Sequence, residues 1–386
     1  MKIIAYILVA YLSLNVFYYL FFSIMGHWPL RKKGKKHQAF GHASMAVLIP
    51  AYKEDAVIIQ TVKQALLQHY PKDYHDIIVI ADSLQPGTLA ALKSYPVKVL
   101  EVAFEQSTKA KALNVALQQL KGYDMAIVLD ADNVMEPDFL YKINQCYHEG
   151  HRVVQAHRVA KNKQNSLSVL DAVSEEVNNH IFRKGHQHAG MASALIGSGM
   201  AFGFKLFKDA MAKIEAIGGF DKELELALMK AGETIHYAEN AMVYDEKISD
   251  TQHFKKQRTR WIAAQIRYGL NSITDAFWHL LVRGNVNYFD KSLQFLLLPR
   301  LFLLAGLGGA LILTWILGSD MMPAVALANG LYATTLLIAI PGKYYNLNTL
   351  SALMTLPKTF MAMLLALTKI NQAKTQFLHT PHSHPS

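Results

Sequence analysis

Three four-residue runs without a polar side chain, Ala46-Val47-Leu48-Ile49, Ile77-Ile78-Val79-Ile80 and Ala126-Ile127-Val128-Leu129, are spaced by segments of helical periodicity at Asp55 to His69 and Lys109 to Leu120, with a further strand at Val97 to Val102. A strand that is apolar on both faces must be covered on both, so this succession predicts an α/β fold built on a parallel sheet. Sheets of that kind bind ligands beyond the carboxyl ends of their strands. The residues to inspect are therefore Pro50-Ala51-Tyr52-Lys53-Glu54, Ala81-Asp82-Ser83 and Asp130-Ala131-Asp132.

The rest of the chain points to a bilayer. Its 386 residues allow two or three structural units, and a composition of 52% hydrophobic against 18% charged residues is unusual for a wholly soluble chain. Ile3 to Ile24 carries no charge and spans about 30 Å as a helix, the thickness of a bilayer core. An uncleaved anchor fits better than a signal peptide, because the run is long, lacks a small-x-small cleavage site and leads into Arg31-Lys32-Lys33-Gly34-Lys35-Lys36. That basic cluster places its side in the cytoplasm and the N-terminus outside. Leu301 to Leu317 and Met321 to Gly342, joined by Gly318-Ser319-Asp320, predict a transmembrane hairpin whose ends are kept cytoplasmic by Lys291, Arg300 and Lys343. Leu347 to Ile370, interrupted by Pro357 and Lys358, reads as an interfacial helix before a tail containing His379 and His382.

The expected division is a transmembrane helix at 1–25, a basic cytoplasmic linker at 26–44, a catalytic domain at 45–285, a membrane hairpin at 290–342 and an interfacial helix with cytoplasmic tail at 343–386. Such a chain is a multi-pass protein of the inner or plasma membrane with membrane lipids as partners. The single cysteine, Cys146, cannot close an internal disulfide and suits a reducing compartment. The net charge of +10 favours phosphate-bearing partners. The basic residues gather at the membrane boundary instead of interleaving with aromatics, which argues against nucleic acid.

Asp130 and Asp132 flank a small residue directly after a strand, so both carboxylates can approach one hard divalent cation that completes its shell with phosphate and water. Taken alone the pair is also an ordinary turn, Asp82 a turn or cap, and Lys109 an exposed helix charge. Together with Lys109 and Lys111 opening the next helix, they supply what a nucleoside diphosphate and its metal need.

The same segments, with Lys109-Ala110-Lys111-Ala112-Leu113-Asn114 and Gln257-Arg258-Thr259-Arg260-Trp261, resemble in order and spacing the inverting family 2 glycosyltransferases. The Gln-x-x-Arg-Trp signature is that of the membrane-embedded members, which include cellulose, chitin and hyaluronan synthases. The resemblance covers about Ala46 to Ala264 and implies a GT-A, Rossmann-like nucleotide-diphospho-sugar transferase fold with N-terminal and C-terminal transmembrane helices. It further implies a nucleotide-sugar donor, a UDP-sugar by preference, a glycan or lipid-linked acceptor, and Mg²⁺ or Mn²⁺ on Asp130 and Asp132. The expected role is transfer with inversion in cell-surface or exopolysaccharide biosynthesis.

Carried over residue by residue, Pro50, Tyr52, Glu54, Asp82, Lys109 and Asp130 would hold the donor, and Gln257, Arg260 and Trp261 the acceptor and diphosphate. Gly199, in Gly197-Ser198-Gly199, would let backbone approach a ligand, or simply make a turn. Trp261 has an interfacial anchor as its alternative. The family's Glu-Asp before a Leu-x-Leu run is replaced by Asp221-Lys222-Glu223-Leu224-Glu225-Leu226, which puts Glu223 at the base position with Asp221 competing. That departure keeps open a non-catalytic membrane module that binds a nucleotide or sugar. Three spans give few walls for a pore, so secretion of a polymer would need a partner subunit or a homo-oligomer.

Overall fold

The computed structural model describes residues 2–28, 41–163, 165–216, 218–247 and 250–367. The basic cluster Arg31 to Lys36 and the tail with His379 and His382 lie outside the described residues. Among the described residues eight strands form one sheet: β1 (Met45–Tyr52), β2 (His75–Asp82), β3 (Lys98–Val102), β4 (Met125–Val128), β5 (Val134–Met135), β6 (Val153–Ala160), β7 (Met200–Gly203) and β8 (His236–Asp245). Their order is β3-β2-β1-β4-β7-β6-β8-β5. β3, β2, β1 and β4 run parallel, β7 is antiparallel to both β4 and β6, and β5 pairs antiparallel with β8.

Alternation along each strand divides the core in two. Ala46, Leu48, Ile78, Ile80, Ala126 and Val128 face the helices Lys109–Gln119, Phe204–Met211 and Phe220–Lys230. Met45, Val47, Ile49, Ile77, Val79 and Ile127 face Ile58–Ala65, Pro86–Lys93 and Phe139–His148. The strand order reverses between β1 and β4, which makes their carboxyl ends the topological switch point. The helix expected from Asp55 to His69 is only Ile58–Ala65, because a turn occupies the residues after β1.

The apolar helices from the two ends of the chain pack together. Lys2–Met25 buries Leu12, Val16, Tyr19 and Phe22 against Arg300–Ile316, Met322–Ala339 and the Ser166–Asn178 helix. Its outer face is exposed, with Ile3 at 75% and Ile7 at 64% accessible, and Trp315 of the hairpin at 70%. By length and composition, Lys2–Met25 and Met322–Ala339 are the two described helices able to cross a bilayer; Arg300–Ile316 has 17 residues and falls short of that measure. The segment expected as one interfacial helix is two, Leu347–Leu353 and Leu356–Leu367, with Pro357 in the first turn of the second where its missing N–H costs nothing. Two of the basic residues read as topology signals have other work. Lys291 is buried and pairs with Glu225 at 2.9 Å, and Lys343 pairs with Glu176 at 2.6 Å.

The N-terminal helix reaches the α/β unit by close backbone contact. A Cβ added to Gly185, in the π-helical turn Asn179–Gly185, would lie 2.1 Å from the Phe22 carbonyl oxygen. Gly185→Ala is therefore expected to lower the thermal midpoint, at or above the top of the ~1–3 kcal/mol range for overpacking. Gly87→Ala, with nothing within 4 Å of the added atom, should not lower it. Melting curves of the two variants side by side check this.

Candidate active site

The carboxyl ends of β1, β2 and β4 open on a cavity of about 700 Å³. Pro50, Tyr52, Glu54 and Asp82 line one wall. Two non-glycine residues there, Lys53 and Ser83, take positive φ (55° and 57°), and Lys53 N–H donates to Asp82 O at 3.1 Å. Such conformations are costly and are kept where the surroundings enforce them. Here they turn the chain out of the sheet while Tyr52 and Asp82 remain in register.

Asp130 and Asp132 lie on the adjoining wall. Asp130 N–H donates to the buried Ser198 Oγ at 2.9 Å, which fixes the turn after β4. The Asp130 carboxylate is held by Lys109 Nζ, which also donates to Gly197 O at 2.7 Å and sits 5.2 Å from the Phe220 ring centre. Arg260 approaches from the 33-residue helix Thr251–Arg283. Burial lowers its affinity for the proton and the Asp130 charge partly restores it. Asp132 is buried; with its amide nitrogen toward the acids, Asn133 donates to Asp132 Oδ1 and Asp245 Oδ1, each at 3.0 Å. Hard oxygens at this edge fit Mg²⁺ or Mn²⁺, and Asp130 already holds a cationic group, the Lys109 ammonium. Among the described residues no three His, Cys, Asp or Glu side chains gather as a metal cage, so phosphate oxygens and water would have to complete the shell.

The Phe220–Lys230 helix separates the two base candidates. At 100° per residue, side chains four apart share a face and side chains two apart do not. Asp221 and Glu225 line the cavity, whereas Glu223 is off its wall, accepting from Tyr268 Oη at 2.8 Å and Glu215 N–H at 3.3 Å. Glu225 is committed to Leu195 N–H and Lys291. Asp221 abuts Gly197, where an added Cβ would lie 3.8 Å from Asp221 Oδ2. Gly197 lines the cavity and Gly199 does not: at φ +61° the latter packs against Val243, and its carbonyl accepts from Ala156 N–H at 2.8 Å. Gln257 and Trp261 join Arg260 on the wall. Arg258 lies 4.3 Å from the Trp261 ring centre and pairs with Asp171.

Several cavity residues escaped the sequence reading. Glu175, buried on the Ser166–Asn178 helix, binds Arg158 at 2.7 Å, Arg183 at 3.4 Å and Lys247 at 3.5 Å, and Lys247 also binds Asp245 at 2.7 Å. Asp245 had a legible signal, since it ends a strand as Asp130 follows one; a glutamate within a helix does not by itself announce three partners.

Residues 42–264, more than half of the chain, match the family described as Glycosyltransferase like family 2, and the chain belongs to that family. A probable glycosyltransferase, YdaM of Bacillus subtilis (strain 168), is 24% identical over 234 residues, which are 56% of this chain. The match spans 54% of that relative, about half its length. Among solved structures, the mannosyltransferase PcManGT from Pyrobaculum calidifontis, in complex with GDP-Man and Mn²⁺, superposes with a TM-score of 0.64 over 97% of this chain and 99% of its own, at 17% identity. At that identity the likeness speaks for the GT-A-like fold.

The acid pair beside the cavity sets a pH dependence. Burial alone would raise the Glu175 carboxyl, but Arg158, Lys247 and Arg183 hold it far below the ordinary range. Burial likewise opposes ionisation of Glu176, yet hydrogen bonds with His157 and Lys343 bring it down to about 2. A depressed carboxyl stabilises the fold above its unfolded value, 4.5, and the contribution is lost as pH falls through the folded value. The thermal midpoint should therefore drop between about pH 4.5 and 2, and Glu176→Gln should flatten that slope. At pH 7, Glu175→Gln should cost about 3–5 kcal/mol, because it takes from buried Arg183 its carboxylate and leaves Arg158 and Lys247 to share Asp245.

Proposed function

We propose that the chain is a membrane-bound glycosyltransferase that moves a sugar from a nucleotide-sugar donor to a glycan or lipid-linked acceptor with inversion. The observation that carries this reading is the convergence on one cavity, at the switch point of the sheet, of Asp130, the Lys109 ammonium paired with it, and Arg260. Pro50, Tyr52, Glu54 and Asp82 would receive the nucleoside, and Lys109 and Arg260 the diphosphate. A divalent ion bound by Asp130 and Asp132 would offset charge on the departing diphosphate. Lys109 would turn from Asp130 to the phosphate oxygens, keeping positive charge where negative charge develops.

Asp221 takes the proton of the attacking hydroxyl, as the only base candidate of the pair on the cavity wall. One displacement, in which the acceptor oxygen bonds to the anomeric carbon as its bond to the diphosphate oxygen breaks, inverts the configuration. Trp261 offers an apolar face for a sugar and Gln257 a polar edge.

Gln257, Arg260 and Trp261 around one cavity support a place near the membrane-embedded synthases. The exposed apolar faces of Lys2–Met25 and the Arg300–Ala339 hairpin support membrane attachment, with the α/β unit cytoplasmic, the N-terminus outside, and Leu347–Leu353 and Leu356–Leu367 at the interface. The product would serve cell-surface or exopolysaccharide synthesis, alone or in an oligomer.

Membranes bearing the chain should release free nucleoside diphosphate from one member of a panel of UDP- and GDP-sugars. Asp132→Ala should abolish release, and Asp221→Asn should lower kcat by about 10²–10⁴ with donor binding kept. Glu223→Gln should change it only a few-fold. Metal-dependent binding without turnover would instead mark a sugar-nucleotide sensor, and loss of turnover in Glu223→Gln alone would move the base.

A further inference from the structure

The cavity does not end at the donor wall. It continues between the apolar helices, where Leu304, Leu336, Ile340, Leu353, Leu356 and Met363 line it. These residues come from both arms of the hairpin, the segment after it and the two C-terminal helices, so the apolar arm is bounded by the parts of the chain assigned to the membrane and its surface. A polar acceptor gains nothing from such walls, whereas a hydrocarbon chain does.

At the junction of the polar and apolar parts stands Arg300. Its guanidinium donates to Ser174 O at 2.8 Å and Ser174 Oγ at 2.7 Å, and no carboxylate among the described residues pairs with it. An arginine carries five N–H donors, and only one of its nitrogens is used here, while the side chain lines the cavity. The acids within the same helical turn are engaged elsewhere: Asp171 by Arg258, and Glu175 by Arg158, Arg183 and Lys247. A cation beside apolar walls, with its neighbouring anions committed, is complementary to an anion brought by the ligand. Guanidinium geometry matches phosphate oxygens. The Ser166–Asn178 helix also ties this point to the donor wall, through Glu175 to Arg158, Asp245 and Asn133 to Asp132.

We infer that the acceptor is an amphiphile with a phosphate head, its phosphate docked on Arg300, its hydrocarbon chain in the apolar arm, and the sugar-accepting hydroxyl carried beyond the phosphate toward Asp221, which takes its proton. This deepens the transferase reading and rests on it for the word acceptor; the lipid site itself stands on the cavity.

The test uses the full chain in detergent micelles and displacement of a tail-labelled fluorescent lipid by a long-chain polyprenyl monophosphate, the corresponding neutral alcohol, and inorganic phosphate. The lipid phosphate is expected to compete at a concentration at least tenfold below that of the alcohol. Arg300→Gln should erase that difference, Arg300→Lys should keep part of it, and Ile340→Trp should weaken both lipids. Equal competition by alcohol and phosphate lipid in the native chain, or an unchanged preference in Arg300→Gln, overturns the assignment. Inorganic phosphate competing as well as the lipid phosphate also overturns it, by showing an anion site that makes no use of the apolar arm. Diphosphate release from the donor is read in parallel. Release without lipid preference removes the lipid and leaves the transferase, while lipid preference without release supports the pocket and removes the transferase.

Discussion

Glu175 is the charge around which the molecule closes. It gathers Arg158 from β6, Arg183 from the π-helical turn and Lys247 from the residues after β8, all of them buried. Buried ions are tolerated only when compensated, so these three segments are held to one helix with little freedom to drift. The same helix contributes Ala172, Val173 and Val177 to the buried apolar cluster that also holds Leu12, Val16, Tyr19 and Phe22 of the N-terminal helix, and it binds the segment after the hairpin through Glu176 and Lys343. This helix thus helps to join the α/β unit to the apolar bundle, and several of its residues line the cavity.

At the opposite wall the organising charge is Asp130. Lys109 opens the helix before β4 and pairs with this carboxylate, and Arg260, from the long helix that follows β8, lines the same cavity and feels its charge. On the proposed reading, the two cations beside one anion suit a ligand that brings more negative charge together with a metal, and their orientation is set in folding.

The parallel half of the sheet was legible because β1, β2 and β4 are apolar on both faces, a pattern few other folds can bury. β6 and β8 were not, because His157, Arg158, Glu239 and Asn240 break their hydropathy, and β7 is only four residues long. Their pairing depends on partners far along the chain, which no local period records. The candidate donor residues were legible through position at strand ends. Choosing between Asp221 and Glu223 was not, since both occupy the first turn of one helix and only the angle at which that helix meets the sheet turns Asp221 inward.

From its own residues the chain already specified the α/β class, the acidic pair after β4 and the apolar segments at both ends, since each is a local pattern of hydropathy or charge that does not depend on distant partners. The tertiary structure decided which carboxylate faces the cavity, that Lys291 is the buried ion-pair partner of Glu225, and that Arg300 stands where the polar cavity meets apolar walls. These are properties of enclosure. A side chain's partners and its exposure to water exist only after distant segments have packed, because long-range contact, not sequence neighbourhood, sets its electrostatic surroundings.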